Sequence, residues 1–138
     1  KLEQWNFNAP FLTKFNAKYG GGVPSACGEG AYSVNYVKNN VTYPVKYYSW
    51  GGVSQTTNIL DPLDAGIQLL SASFLFSGDK NDGLVSECSQ RLGKVIRSDY
   101  WNNHLDAVNG FFGITNLLEV NPKSIYRTHA NRLQTAGL

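Results

Sequence analysis

Gly93-Lys94-Val95-Ile96-Arg97-Ser98-Asp99-Tyr100-Trp101-Asn102-Asn103-His104-Leu105-Asp106 is the stretch on which the reading of this chain turns. The apolar, β-branched run at its start predicts a strand. The polar loop at its end carries a histidine. Upstream lies a second polar turn, Ser77-Gly78-Asp79-Lys80-Asn81-Asp82-Gly83, followed by the apolar pair Leu84-Val85. An acid in one loop and a histidine in a later one, with a strand between them, organise the search for chemistry.

Outward from this stretch, the last segment is the clearest helix. Asn121 is its cap, Pro122 takes the first helical position, and Ile125, His129 and Leu133 share one face. Asp106 to Leu118 is mostly apolar around Gly110 and Gly113. On the N-terminal side, Leu60, Leu63, Ile67 and Leu70 fall at helical spacing after Asp61-Pro62, and Ser73 to Phe76 reads as a short strand. Val41 to Trp50 reads as a strand interrupted at Pro44 and ended by Gly51-Gly52. Residues 23–40, rich in Gly, Ser and Asn, read as loop with short strands. A first helix is capped by Asn8, has Pro10 in its first turn and an apolar stripe of Phe11, Leu12 and Phe15, and stops at Gly20-Gly21-Gly22. No repeat or low-complexity linker divides the 138 residues, which read as one domain or part of one.

Composition excludes several classes. Hydrophobic residues make up 42% of the chain, with eight Tyr, seven Phe and three Trp, too apolar for intrinsic disorder. The net charge of +2 comes without a basic run, so no nucleic-acid partner is expected. No apolar stretch approaches the ~20 residues of a transmembrane segment. The opening Lys1-Leu2-Glu3-Gln4-Trp5 shows no signal-peptide pattern, and the expectation is a piece from inside a longer chain.

The chain has two histidines. A catalytic imidazole needs a free nitrogen facing a cleft, which favours the loop residue His104 over His129 on its helix face. Asp82 is of the kind that orients and charge-stabilises a histidine, although Asp-Gly is equally the signature of an ordinary Asx turn. No serine sits in Gly-x-Ser-x-Gly. The nearest approach, Gly52-Val53-Ser54-Gln55-Thr56, lacks the second glycine and precedes no clear helix. In the α/β-hydrolase order of Ser, Asp, His, the acid-then-histidine arrangement without an elbow suits the C-terminal part of such a domain. Cys27 and Cys88 form no CxxC pair and have no histidine cluster, which argues against zinc. Whether they pair depends on the compartment. Asp61 and Asp106 are hard oxygen donors suited to calcium, but 45 positions separate them.

From about Cys27 to the C-terminus the chain resembles the secreted, foldase-dependent triacylglycerol lipases of the Pseudomonas and Burkholderia type. The motifs that carry the resemblance are Tyr48-Ser49-Trp50-Gly51-Gly52, Leu60-Asp61-Pro62-Leu63-Asp64, Asn81-Asp82-Gly83-Leu84-Val85, Cys88-Ser89, Asn103-His104-Leu105-Asp106 and Arg127-Thr128-His129-Ala130-Asn131-Arg132-Leu133. Each is short. Their order and spacing together make the likeness specific.

The resemblance implies an α/β fold: the C-terminal part of an α/β-hydrolase domain, with a central, mostly parallel sheet flanked by helices. It implies that Asp82 and His104 are the acid and histidine of a Ser-His-Asp triad, and that Cys27 and Cys88 are joined. It implies a structural Ca2+ held by the carboxylates of Asp61 and Asp106 and by carbonyls at Gly110 and Ile114. The implied partners are the N-terminal part of the same lipase with its serine and oxyanion hole, an acylglycerol substrate at a lipid–water interface, and a lipase-specific foldase during secretion through the periplasm. Two departures stand out. Gly110 replaces a frequent Gln, which leaves a carbonyl ligand intact. Ala107 replaces a frequent acid beside the calcium aspartate, which makes dependence on Asp82 stricter. The competing reading is a secreted, disulfide-closed binding module without catalysis, which substitution of His104 would leave unharmed.

Overall fold

A computed structural model of the chain describes residues 14, 16–18, 20–24, 26–57, 62–75, 78–109 and 119–138. Asn39 and Asn40 both take positive φ, 53° and 61°. Asparagine tolerates this left-handed conformation, and two such residues in succession make the tight turn of a hairpin. They join β1 (Ser33–Lys38) to β2 (Val41–Lys46), antiparallel from Ser33 opposite Lys46 to Lys38 opposite Val41. Pro44 does not break the strand as its sequence suggests. It lies inside β2 opposite Asn35, in a two-stranded ribbon where each strand keeps an open edge that tolerates a residue without an N–H.

The break falls at Tyr47. Its N–H donates to the Tyr32 carbonyl (2.8 Å), prolonging the hairpin, while its own carbonyl accepts from Lys94 N–H (3.0 Å) in the second sheet. The chain changes sheets at this residue. β3 (Tyr48–Gly52) pairs in parallel with β4 (Lys94–Tyr100), from Tyr48 opposite Lys94 to Gly52 opposite Tyr100 with two register shifts. The strand expected from Gly93 onward is therefore β4. A parallel pair needs a crossover, and the segment between the two strands carries a helix. Among the described residues the architecture is mixed α/β with two small sheets.

Helix α1 (Pro62–Ser71) buries Ile67, while Leu63 and Leu70 of the expected stripe stay 41% and 43% exposed. The short strand expected at Ser73 to Phe76 is absent over the described part. α1 tightens instead into a 3-10 turn, Ala72–Phe74, that buries Phe74. A four-residue apolar run fits either geometry, and here the preceding helix decides. Helix α2 (Pro122–Thr135) begins as its sequence predicts, with the Asn121 side chain accepting from Lys123 N–H (3.0 Å) and Pro122 in the first turn. It lies on the β3 strand: Trp50 stacks against His129 with centroids 5.8 Å apart and meets Tyr126 edge-on at 5.6 Å.

Of the first predicted helix, Asn8, Pro10, Phe11, Leu12 and Phe15 lie outside the described residues. Lys14 and residues 16–18 are helical, and Gly20 N–H bonds the Asn16 carbonyl (2.8 Å) where the glycine run is read as a stop. Cys27 and Cys88 form a disulfide, Cα atoms 5.0 Å apart across 61 positions. No described helix is long and apolar enough to cross a membrane.

Candidate active site

The acid loop is built on its own carboxylate. Residues Asn81 and Ser86 form an isolated antiparallel bridge that pinches the loop shut. Asp82 Oδ1 accepts from the N–H groups of Leu84 (3.1 Å) and Val85 (2.8 Å), and the Asn81 side chain accepts from Gly83 N–H (2.9 Å). Gly83 has φ +99°, and a Cβ there would collide with Ile67 Cγ2, so the turn admits only glycine. The Asx turn and the role of orienting a histidine are therefore not alternatives. One oxygen of Asp82 closes the turn and leaves the other free to point outward.

That other oxygen, Oδ2, lies 2.8 Å from His104 Nδ1. The two residues are also joined through the main chain, with His104 N–H donating to the Asp82 carbonyl (2.9 Å). The Asp82 side chain is 7% exposed and that of His104 43%. An ionised carboxylate only accepts, so Nδ1 carries the proton and Nε2 of the neutral ring is the basic nitrogen. The hydrogen bond to Asp82 raises the His104 pKa above the ordinary histidine value; the Asp82 charge adds to this and partial burial opposes it. An imidazole held in one tautomer by a buried carboxylate, with its other edge accessible, is equipped to take a proton from a hydroxyl and return it.

Directly behind this pair lies a buried polar cluster. Asn103 anchors it, with its Oδ1 accepting from Leu105 N–H (2.9 Å) and Asp106 N–H (3.0 Å), its Nδ2 donating to Asp64 Oδ1 (2.6 Å) and its own N–H donating to Asp106 Oδ2 (2.8 Å). Thr57 bridges the two acids, its N–H donating to Asp64 (2.7 Å) and its hydroxyl to Asp106 (2.8 Å). Burial pushes the Asp106 pKa up, and the charge of Asp64 adds to this. Hydrogen bonds from Asn103, Thr57 and Glu119 work against it. A buried carboxylate with a like charge beside it is a setting that a hard cation relieves, and its oxygen donors fit calcium chemistry. Of the other expected ligands, Asp61, Gly110 and Ile114 lie outside the described residues. Among the described residues, no group of three or more His, Cys, Asp or Glu is arranged to hold a metal ion.

The remaining candidates resolve simply. His129 stacks on Trp50 and its Nδ1 pairs with Arg132 (2.8 Å), with burial and the guanidinium both lowering its pKa. Ser54 is buried and its hydroxyl donates to the Thr56 carbonyl (3.1 Å), which removes it as an exposed nucleophile. Sequence reasoning missed Thr57, Asp64, Asn103 and Glu119. Only Asn103 had a local signal, since Asn three residues before Asp at a short helical turn is a capping pattern.

No protein-family model matches the chain. Individual proteins do. A triacylglycerol lipase of Vibrio cholerae is 54% identical over 126 residues, which is 91% of this chain and 37% of that protein. A triacylglycerol lipase of Pseudomonas fragi is 37% identical over 134 residues, covering 92% of the chain and 43% of that protein. One from Burkholderia plantarii is 29% identical over 139 residues, 85% of the chain and 38% of the protein. The chain thus spans about two fifths of the length of these relatives. The likeness extends well beyond the loops that hold Asp82 and His104, and with it the chain is homologous to a segment of the bacterial triacylglycerol lipases.

Proposed function

We propose that this chain supplies the acid and the histidine of a Ser-His-Asp triad in an ester hydrolase that cleaves triacylglycerols. The observation that carries the reading is the 2.8 Å contact between His104 Nδ1 and Asp82 Oδ2, with Asp82 buried and the imidazole partly exposed. The relatives are more than twice as long as the segment they share with this chain, which leaves room for a serine-bearing part. The parallel β3–β4 pair with α2 on one face suits the C-terminal part of an α/β-hydrolase sheet.

In the complete enzyme the serine hydroxyl attacks the ester carbonyl carbon while His104 Nε2 takes its proton. The tetrahedral intermediate collapses, the bond to the alcohol oxygen breaks, and His104 returns the proton to the departing alcohol. Water then repeats the cycle on the acyl-enzyme and releases the fatty acid. Asp82 holds the tautomer and stabilises the imidazolium without taking up a proton.

Calcium belongs to the same proposal. Asp61 and Asp106 would hold it, together with the carbonyls of Gly110 and Ile114, and its charge would neutralise the buried acids behind His104. The Cys27–Cys88 disulfide supports an oxidising, extracellular location; passage through the periplasm assisted by a foldase is the route that the resemblance implies. A binding module offers no reason for a buried carboxylate to fix one tautomer of an exposed imidazole.

The test is to combine the chain with the serine-bearing part and assay a soluble ester. Turnover is expected from the combination and lost in His104→Ala. Equal turnover by the variant would sink the reading.

A further inference from the structure

Gln90 ends the 3-10 turn Glu87–Gln90, just before the link into β4. Its half-buried amide is fully used. Oε1 accepts from Gly52 N–H (2.9 Å), and Nε2 donates to the Gly52 carbonyl (2.9 Å) and to the Val85 carbonyl (3.1 Å). Gly52 is the last residue of β3, so the amide pairs with both polar groups of that residue as a neighbouring strand's peptide would. Gly51 makes room for it, since a Cβ at that position would collide with Gln90 Oε1.

The third bond reaches the acid loop. Val85, whose carbonyl Gln90 holds, donates its own N–H to Asp82 Oδ1 (2.8 Å), and Asp82 Oδ2 contacts His104 Nδ1 (2.8 Å). At the other end of the loop, Gln55 Nε2 donates to the carbonyl of Asn81 (2.9 Å), the residue before Asp82. Two glutamine amides thus grip the loop on either side of the acid, and Gln90 is the one that ties it to a strand. The Val85 carbonyl also accepts from Asp82 N–H (3.2 Å). Without the amide the carbonyl keeps a local partner and the loop loses its anchor on β3.

We propose that Gln90 is a positioning residue for the Asp82–His104 pair, fixing the acid loop to the end of β3 so that Asp82 Oδ2 meets the imidazole. The inference rests on the reading that this pair works with a serine. Gln90 touches neither substrate nor imidazole and acts through Val85 and Asp82.

The test uses Gln90→Met in the complete, serine-bearing enzyme, because methionine keeps the length and volume of the side chain while removing its hydrogen bonds. With a soluble short-chain ester, kcat is expected to fall roughly 10- to 100-fold, the scale of a small misplacement of a catalytic group, while KM stays unchanged. The low-field proton resonance of His104 Nδ1–H should shift or broaden. Gln90→Asn, which withdraws the amide by one methylene, should show a smaller change in the same direction and serves if the methionine variant does not fold. A side chain that merely fills space would lower the melting temperature and leave kcat per folded molecule and the resonance as in the parent, and that result overturns the proposal. His104→Ala, assayed in parallel, separates two failures. If it retains turnover, the triad reading falls and this inference with it. If it is inactive while both Gln90 variants match the parent, only the role of Gln90 falls.

Discussion

His104 and Asp82 are joined twice, ring to carboxylate at 2.8 Å and main-chain N–H to main-chain carbonyl at 2.9 Å. The second bond matters for the first. It joins the two loops through main-chain groups that substituting either of these two side chains leaves in place, while the path of the acid loop itself is held by Gln55 and Gln90. Substitutions at either residue should therefore report on chemistry more than on loop position.

Asp82→Asn is the sharpest use of this. The amide oxygen can still accept from Leu84 and Val85, which preserves the turn. The NH2 group then faces His104 Nδ1 and forces the ring proton onto Nε2, the tautomer that cannot act as base. In the complete enzyme, kcat on a soluble ester should fall by about 10^4, with a melting temperature close to the parent's. A loss below tenfold would mean that Asp82 does not set the tautomer.

The pH profile follows from the same contact. Hydrogen bonding to Asp82 holds the His104 pKa above its ordinary value, and a general base must be neutral to work. The acid limb of kcat/KM should lie above pH ~6.5, the ordinary histidine value, and move downward in Asp82→Asn. For stability the sign is opposite to that of a paired carboxylate. The folded protein holds this proton more tightly, so the contribution is complete below the unfolded-state pKa and is lost as pH rises through the folded value. With the imidazole 43% exposed, solvent screening keeps that contribution small. A limb at or below the ordinary value would contradict the coupling.

These residues show what a sequence can and cannot convey. Asp82 and His104 stand in polar loops beside a recognisable strand, so their candidacy was legible, as were β4, α2 with its Asn121 cap, and much of α1. Their meeting was legible through the resemblance alone, because 22 positions separate them and no local pattern closes the gap. Asn39-Asn40 carried a turn signal in the positive-φ preference of asparagine. Thr57, Asp64 and Gln90 carried none, since a buried hydrogen-bonded polar side chain looks like a surface residue until its partners are known. The expected strand at Ser73 to Phe76 gives way over its described residues to a 3-10 turn, because helix propagation from α1 outweighs the preference of a short apolar run.

The disulfide should matter for stability and leave the dyad alone. It closes a loop across 61 positions, for which the chain-entropy estimate is about 4 kcal/mol. Cys27→Ser with Cys88→Ser should lower the unfolding free energy by up to that amount, read by denaturant titration with and without reductant. Reductant should shift the parent and leave the double variant unmoved. Identical curves for all four samples would show that the bond is absent or carries no stability.

Asp106 gives the last prediction, through the proposed calcium. Its carboxyl is buried, has Asp64 as a like charge nearby and is pushed toward the protonated form. A bound Ca2+ would reverse that penalty and stabilise the folded state by linkage, about 2.7 kcal/mol at a hundredfold excess over Kd. In the complete enzyme, the melting temperature should rise when Ca2+ replaces EGTA, and Mg2+ should substitute poorly because it gives up its water shell reluctantly. Asp106→Asn removes the charge while keeping an oxygen that can accept from Thr57 and Asn103. It should therefore fold, and its melting temperature should be indifferent to calcium. The measurement needs no substrate, which separates the metal from the triad. An equal calcium response in parent and variant would place the ion elsewhere, and no response in either would leave the acids behind His104 to be neutralised by protons alone.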